Sequence, residues 1–203
     1  MPSQWESYFW PGTQVLQNKW GVKDADVLDY RERVHTTLQA ERIASGLLPI
    51  ERTFDAAHVK AIHAALFSQI FDWAGQYRTV NMRRGVNEFA AVADIPAVVD
   101  DMHQQITETD WGIEDRDVFA SNIATTAAIG NYAHAFRDGN GRVMRILLNH
   151  VCERSPYRLD FTLVEPAVWN QRSALTMPDQ GSTEVHPEEF VPVFRVITTE
   201  AAN

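Results

Sequence analysis

A single cysteine, Cys152, stands in 203 residues, which excludes an intrachain disulfide and fits a reducing compartment. On an apolar helix face it reads as a small buried hydrophobe. Long apolar runs are also missing, so no stretch approaches a membrane span. Met1 to Glu6 lack the charged-then-apolar order of a signal peptide, and the sequence predicts a cytoplasmic protein. Basic residues are outnumbered: 18 Lys and Arg against 27 Asp and Glu leave a net charge of −9. That balance argues against sequence-independent binding to nucleic acid or to an anionic membrane. No internal repeat, low-complexity run or shift in composition marks a second domain. With 45% hydrophobic residues, residues 1–203 read as one globular domain with a full core.

What is there is mostly helical pattern. The periodicity predicts an all-α fold of about seven or eight helices and one small β-hairpin. Residues 1–23 form an N-terminal arm: an aromatic lead-in from Tyr8 to Trp10, a Pro11-Gly12 turn, then Val15, Leu16 and Trp20 at helical spacing. Helices are expected from Asp24 to Ser45, stopped by Gly46, and from Asp55 through Phe71, with Val59, Ile62, His63, Leu66 and Ile70 on the apolar side. His58 and His63 lack a second ligand at helical spacing, so no metal site is expected there. Ile95 to Ile106 and Arg116 to Ala133 follow. The latter is rich in small residues that let neighbouring helices approach closely, as a central helix needs. Arg142 to about Glu153, Val164 to Thr176 and Pro187 to Thr199 complete the helical set. Over 77–92 the pattern changes: Tyr77 to Met82 and Asn87 to Val92 look extended and flank Arg83-Arg84-Gly85-Val86, a hairpin signal.

The chemistry concentrates in 134–145, His-Ala-Phe-Arg-Asp-Gly-Asn-Gly-Arg-Val-Met-Arg. Asp138-Gly139-Asn140-Gly141 cannot continue a helix comfortably, because glycine favours positive φ and Asp and Asn prefer caps. A tight loop must therefore follow Phe136. Helical pattern resumes at Arg142, so the loop delivers free backbone N–H groups at a helix N-terminus, a ready anion site. Arg142 and Arg145 share a face of that first turn, where the helix dipole disfavours cations by roughly 0.3–1 kcal/mol each. Two of them there point to a polyanion, with Arg137 as a further local cation. Asp138 offers Mg²⁺ a hard oxygen ligand, and His134, at the end of the preceding helix, is the natural general base. Separately, each residue has an ordinary structural explanation. Together they read as a phosphate-handling active site.

That stretch resembles the signature of the Fic family, HxFx(D/E)GNGRxxR, at every defining position, and Pro11 to Lys19 resembles the opening segment of many small bacterial Fic proteins. The resemblance implies AMPylation, the transfer of AMP from ATP to a Ser, Thr or Tyr hydroxyl of a target protein. By that likeness His134 is the base and Phe136 the buried side chain fixing the loop. Asp138 holds Mg²⁺, Gly139, Asn140 and Gly141 cradle phosphates, and Arg142 and Arg145 grip the β and γ phosphates. Ala135 departs from a frequent proline. Doc-type relatives, which transfer a terminal phosphate, carry lysine where Gly141 stands, so this chain sides with the nucleotidyl transferases.

The hairpin would be the family's flap, docking the target by strand addition through Val80, Asn81, Met82, Arg83 and Phe89, with Arg84 as a further contact. The family's inhibitory pattern, (S/T)xxxE(G/N), is not met by any glutamate, and the nearest fit, Thr37 to Glu41, is followed by Arg42. The resemblance therefore implies a toxin restrained by a separate small antitoxin. The alternatives are a non-catalytic nucleotide-binding or interaction module, a Doc-type phosphotransferase, and a hydrolase removing AMP.

Overall fold

Aspartate caps set where three of the helices begin. In the computed structural model, which describes residues 5–201, Asp24 accepts from the Val27 amide to open α1 (Ala25–Ala44). Asp55 accepts from His58 to open α2 (Ala56–Phe67), and Asp115 accepts from Asp117 and Val118 to open α4 (Arg116–Ala133). Such caps satisfy amides that have no partner within the helix. Between α2 and α4 lie the strands β1 (Arg83–Arg84) and β2 (Asn87–Glu88) and helix α3 (Ile95–Glu108); α5 (Asn140–Cys152) follows α4. Strand β3 (Tyr157–Leu159), helix α6 (Pro166–Leu175), helix α7 (Val191–Ile197) and strand β4 (Thr198–Glu200) complete the regular elements. The fold is all-α with seven helices among the described residues, together with the expected hairpin.

α4 is the central helix. It packs against α3, α5 and α7, and its Phe119, Ala120, Ile123, Ala124, Ala127 and Ala128 are buried. A Cβ at Gly130 would come within 1.8 Å of the Met144 Cε, so glycine there lets α5 lie close to the last turn of α4. Cys152 is buried and free, and burial pushes its thiol up to about 12. Among the described residues no helix is long and apolar enough to cross a membrane.

Several expectations are corrected. The arm is not helical beyond the Pro11-Gly12 turn: Gly12 takes φ +76, and the chain doubles back so that Phe9 and Leu16 form an isolated antiparallel bridge. Its apolar spacing reflects packing on two sides, with Tyr8 and Phe9 against Val80 and Val15 in the main core. Met1 to Gln4, the opening of that arm, lie outside the described residues. α2 stops at Phe67 rather than Phe71, because the amides of Ile70 and Phe71 both return to the Phe67 carbonyl, at 2.8 and 2.9 Å. That turn drops both side chains into the core.

The hairpin strands are shorter than the pattern predicts. Arg83 pairs with Glu88 and Arg84 with Asn87, around a Gly85-Val86 turn. Gly85, at φ +64, suits the first central position of a type II′ turn. A second ladder, β3 with β4, was not expected, since three-residue strands carry too little alternation to register in sequence. It takes the end of the predicted Pro187–Thr199 helix, which divides into a 3₁₀ turn (Pro187–Glu189), α7 and β4.

Candidate active site

The residue expected to act as base sits where α4 ends. His134 is the C-cap of α4 and adopts a left-handed conformation, φ 37° and ψ 53°, a strained position for a residue with a Cβ. Arg78 holds it there. This arginine is 1% exposed and gives its Nε to the His134 carbonyl at 2.9 Å. Its other donors reach the carbonyls of Val80 at 2.8 Å, Ala133 at 3.4 Å and Ala90. Its own amide reaches the Ala135 carbonyl at 2.9 Å. One buried side chain thus joins the two roots of the hairpin to the backbone of His134.

The imidazole of His134 is shielded and neutral. Burial, then the nearby positive charges of Arg78 and Arg84, lower its pKa to about 4. The Asn131 backbone carbonyl pulls the other way, toward the protonated ring, and is outweighed; the neutral imidazole keeps one nitrogen with its lone pair. Phe89 lies flat against the ring, with centroids 3.8 Å apart and planes 15° from parallel.

The loop that follows is fixed from inside. Phe136 is 1% exposed and stacks on His63 of α2 at 3.9 Å. His63 in turn accepts from the Gly75 amide at 2.8 Å and reaches the Asp138 carbonyl with its other nitrogen at 3.2 Å. Asn140 makes a two-way bond to Phe136, its Oδ1 accepting from the amide and its Nδ2 donating to the carbonyl, both at 2.8 Å. Its side chain is therefore a loop staple, and only its amide is left for an anion. Gly139 takes φ +80, and a Cβ there would lie 2.3 Å from the Phe67 ring.

α5 begins with open backbone amides. Its first internal bond runs from the Val143 amide to the Gly139 carbonyl, 3.0 Å, so the amides of Asn140, Gly141 and Arg142 precede any carbonyl one turn back. A Cβ at Gly141 would meet nothing within 4 Å, which leaves the approach to those amides open. The two motif arginines differ. Arg142 contacts the Glu32 carboxylate of α1 at 2.7 Å and Asp138 at 3.6 Å, bonds Thr36 at 3.3 Å, and lies 4.7 Å from the Phe67 ring centre. Arg145 lies over Phe161 and Trp169, at 5.2 and 5.8 Å. Among the described residues no carboxylate pairs with it.

Asp138 accepts from the Gly139 amide through Oδ1 at 2.6 Å, and its side chain is 41% exposed. Among the described residues no cluster of three or more His, Cys, Asp or Glu could enclose a metal. One accessible carboxylate beside an anion site fits Mg²⁺, which takes one or two carboxylates and completes its shell with substrate phosphates and water.

Other sequence expectations are placed differently. Arg137 is turned to the arm: its guanidinium covers the rings of Trp5, Tyr8 and Phe9 at 4.3, 5.5 and 5.2 Å. Of the hairpin residues, Val80 is buried and its carbonyl accepts from Arg78. Asn81 accepts from the Val92 amide at 2.9 Å, Met82 is half-buried, Arg83 and Arg84 are exposed, and Phe89 points inward to His134. Arg78, Glu32 and His63 were not anticipated as parts of the site. His58, also on α2, meets His150 of α5 at 2.8 Å, a stacked buried pair away from the loop.

A buried imidazole with a lowered pKa at the end of one helix and open backbone amides at the start of the next thus lie on either side of one short loop. The chain belongs to the Fic/DOC family, whose model matches residues 53–152. It is 30% identical to "Probable protein adenylyltransferase y4lH" of Sinorhizobium fredii, over 77% of this chain and 80% of that one. It is 29% identical to "Probable protein adenylyltransferase Fic" of Escherichia coli, over 82% of each. Among solved structures, the N-terminal Fic domain of a VirB-translocated Bep effector protein of Bartonella quintana, with bound ADP, superposes with a TM-score of 0.86. The identity is 27%, covering 96% of this chain and 95% of that one.

Proposed function

We propose that this chain is a protein adenylyltransferase, moving AMP from ATP to a hydroxyl side chain of a target protein and releasing pyrophosphate. The observation that carries the reading is one loop, 134–139, joining a neutral, shielded imidazole to a helix N-terminus with open amides. His134 takes the proton of the target hydroxyl. The oxygen bonds to the α phosphorus, and the bond from that phosphorus to the bridging oxygen of the β phosphate breaks. The α5 amides and Arg145 receive the charge on the departing pyrophosphate. Asp138 would hold Mg²⁺, which when bound neutralises phosphate charge. Since ATP is the donor, the reading supports a cytoplasmic site of action.

The open approach at Gly141 favours transfer of AMP over transfer of a terminal phosphate, because a lysine there would place its cation over the cradle. Intact His134 and Asp138 favour catalysis over nucleotide binding alone, since binding needs no base. The exposed edge at Arg83 and Arg84 is the surface we assign to target docking. We also assign restraint to a separate small antitoxin. What supports this is Arg145, without a carboxylate partner among the described residues, beside a groove of about 640 Å³ between α1 and α5.

The test is a bacterial lysate incubated with the protein, Mg²⁺ and ATP labelled at the α or the γ phosphate. Label should pass to protein from the α position only, and His134→Ala should abolish it. Transfer from the γ position would replace this reading with phosphotransfer.

A further inference from the structure

We propose that Phe89 is a positioning residue for His134: its ring fixes the plane of the imidazole and thereby the direction from which the target hydroxyl must arrive. This rests on the reading of His134 as the base.

The geometry is specific. A ring-to-ring distance of 3.8 Å at 15° is face-to-face contact, so one whole face of the imidazole is covered. That face is closed to an incoming hydroxyl, and the plane that Phe89 sets is the plane in which the free nitrogen's lone pair points. Phe89 cannot drift, because the chain is pinned on both sides of it. Its own amide donates to the Met82 carbonyl at 3.1 Å, and the Ala90 amide donates to the Tyr132 carbonyl, in the last turn of α4, at 3.0 Å. Arg78 takes the Ala90 carbonyl while also holding that of His134. Hairpin root and base are consequently one unit. Displacement of the hairpin by a docking target reaches the imidazole through Phe89 directly.

The stack also excludes water from the ring. The charged groups facing the imidazole are cations, Arg78 from the segment before the hairpin and Arg84 from β1. Both oppose protonation, as does the cover that Phe89 supplies. A histidine acts as a base only when neutral, so activity is present above its pKa and lost as pH falls through it. Uncovering the ring moves that loss to higher pH, from about 4 toward the ordinary 6.5.

The experiment compares Phe89→Tyr, which keeps a flat ring, with Phe89→Leu, which keeps apolar bulk without one, and Phe89→Ala, which uncovers the imidazole. Rates of transfer from α-labelled ATP are read at saturating and limiting ATP with a lysate as acceptor, and the His134 ring is titrated by NMR. Phe89→Tyr should stay within about twofold of wild type. Phe89→Leu should lose roughly tenfold or more at saturating ATP, as misaligned bases do, with half-saturating ATP little changed. Phe89→Ala should raise the pH at which the ring titrates and at which activity fails. Wild-type rates in Phe89→Leu with an unmoved His134 titration would overturn the proposal. A wild-type protein that transfers no α label would instead sink the adenylyl reading, while the NMR titration would still report whether Phe89 covers His134.

Discussion

The end of α4 and the start of α5 face each other across the loop 134–139 and are held by opposite means. On the α4 side the main chain itself is gripped: Arg78 binds the carbonyls of His134, Ala133, Val80 and Ala90, and Ala90 binds Tyr132. On the α5 side the backbone amides of the first turn are open. The cations are held only through their side chains, Arg142 by Glu32 and Arg145 by aromatic rings. Under the proposed function the difference matches two tasks. A base must meet one proton in one direction, whereas a phosphate chain must be admitted, gripped and released. Rigidity belongs to the first and exchangeable contacts to the second.

Removing the rivet should break this contrast most severely. Arg78→Met leaves several buried carbonyls without donors, each worth about 1–3 kcal/mol. A loss of roughly 3 kcal/mol or more in denaturant unfolding is expected, and Arg78→Lys should recover only part of it, because one ammonium cannot span the same carbonyls. Stability within about 1 kcal/mol of wild type for Arg78→Met would show that water replaces those bonds and that the α4 side is not rigid.

The two glycines of the loop sharpen the comparison at a smaller scale. Gly139→Ala would force a Cβ to within 2.3 Å of Phe67 at φ +80, and should cost roughly 2–4 kcal/mol of stability. Gly141→Ala meets open space inside a helix, so stability should hold or rise by up to about 1 kcal/mol. Its effect should fall on ATP instead, as a severalfold higher half-saturating concentration. Equal stability losses in the two variants would place Gly141 in the packed half of the loop.

How much of this could be read from the chain follows from where partners lie. The 134–145 set was legible because its residues are contiguous, and helix starts were legible because Asp24, Asp55 and Asp115 cap locally. Arg78 was not. In sequence it sits among extended-looking residues and resembles a solvated strand cation, and its partners at Ala133 and His134 lie more than fifty residues away. Glu32 was hidden in the same way, within the charged run Asp29-Tyr30-Arg31-Glu32-Arg33, whose partner Arg142 is remote. The inward turn of Phe89 depends on a hairpin whose strands are two residues long, too short for alternation to show which face a residue takes. The Asn140 staple was within reach: a side chain that bonds the residue four positions back is a local arrangement.

The smallest effect tests the exchangeable half directly. Glu32 is 7% exposed, and burial, then the neighbouring Asp138 carboxylate, hold its pKa above the ordinary value despite the opposing pull of Arg142. Its negative charge occupies Arg142 and adds to the repulsion an incoming triphosphate meets. Glu32→Gln keeps an oxygen that can accept from Arg142 and removes the charge. If the α5 arginines are held by exchangeable contacts, half-saturating ATP should fall on the order of fivefold, the equivalent of about 1 kcal/mol for one charge at a partly solvated site. The gain should shrink as salt is raised, and the rate at saturating ATP should change little. A higher half-saturating concentration in Glu32→Gln would mean that the carboxylate is needed to aim Arg142. The α5 side would then be as fixed as the α4 side, and the contrast between the two would not stand.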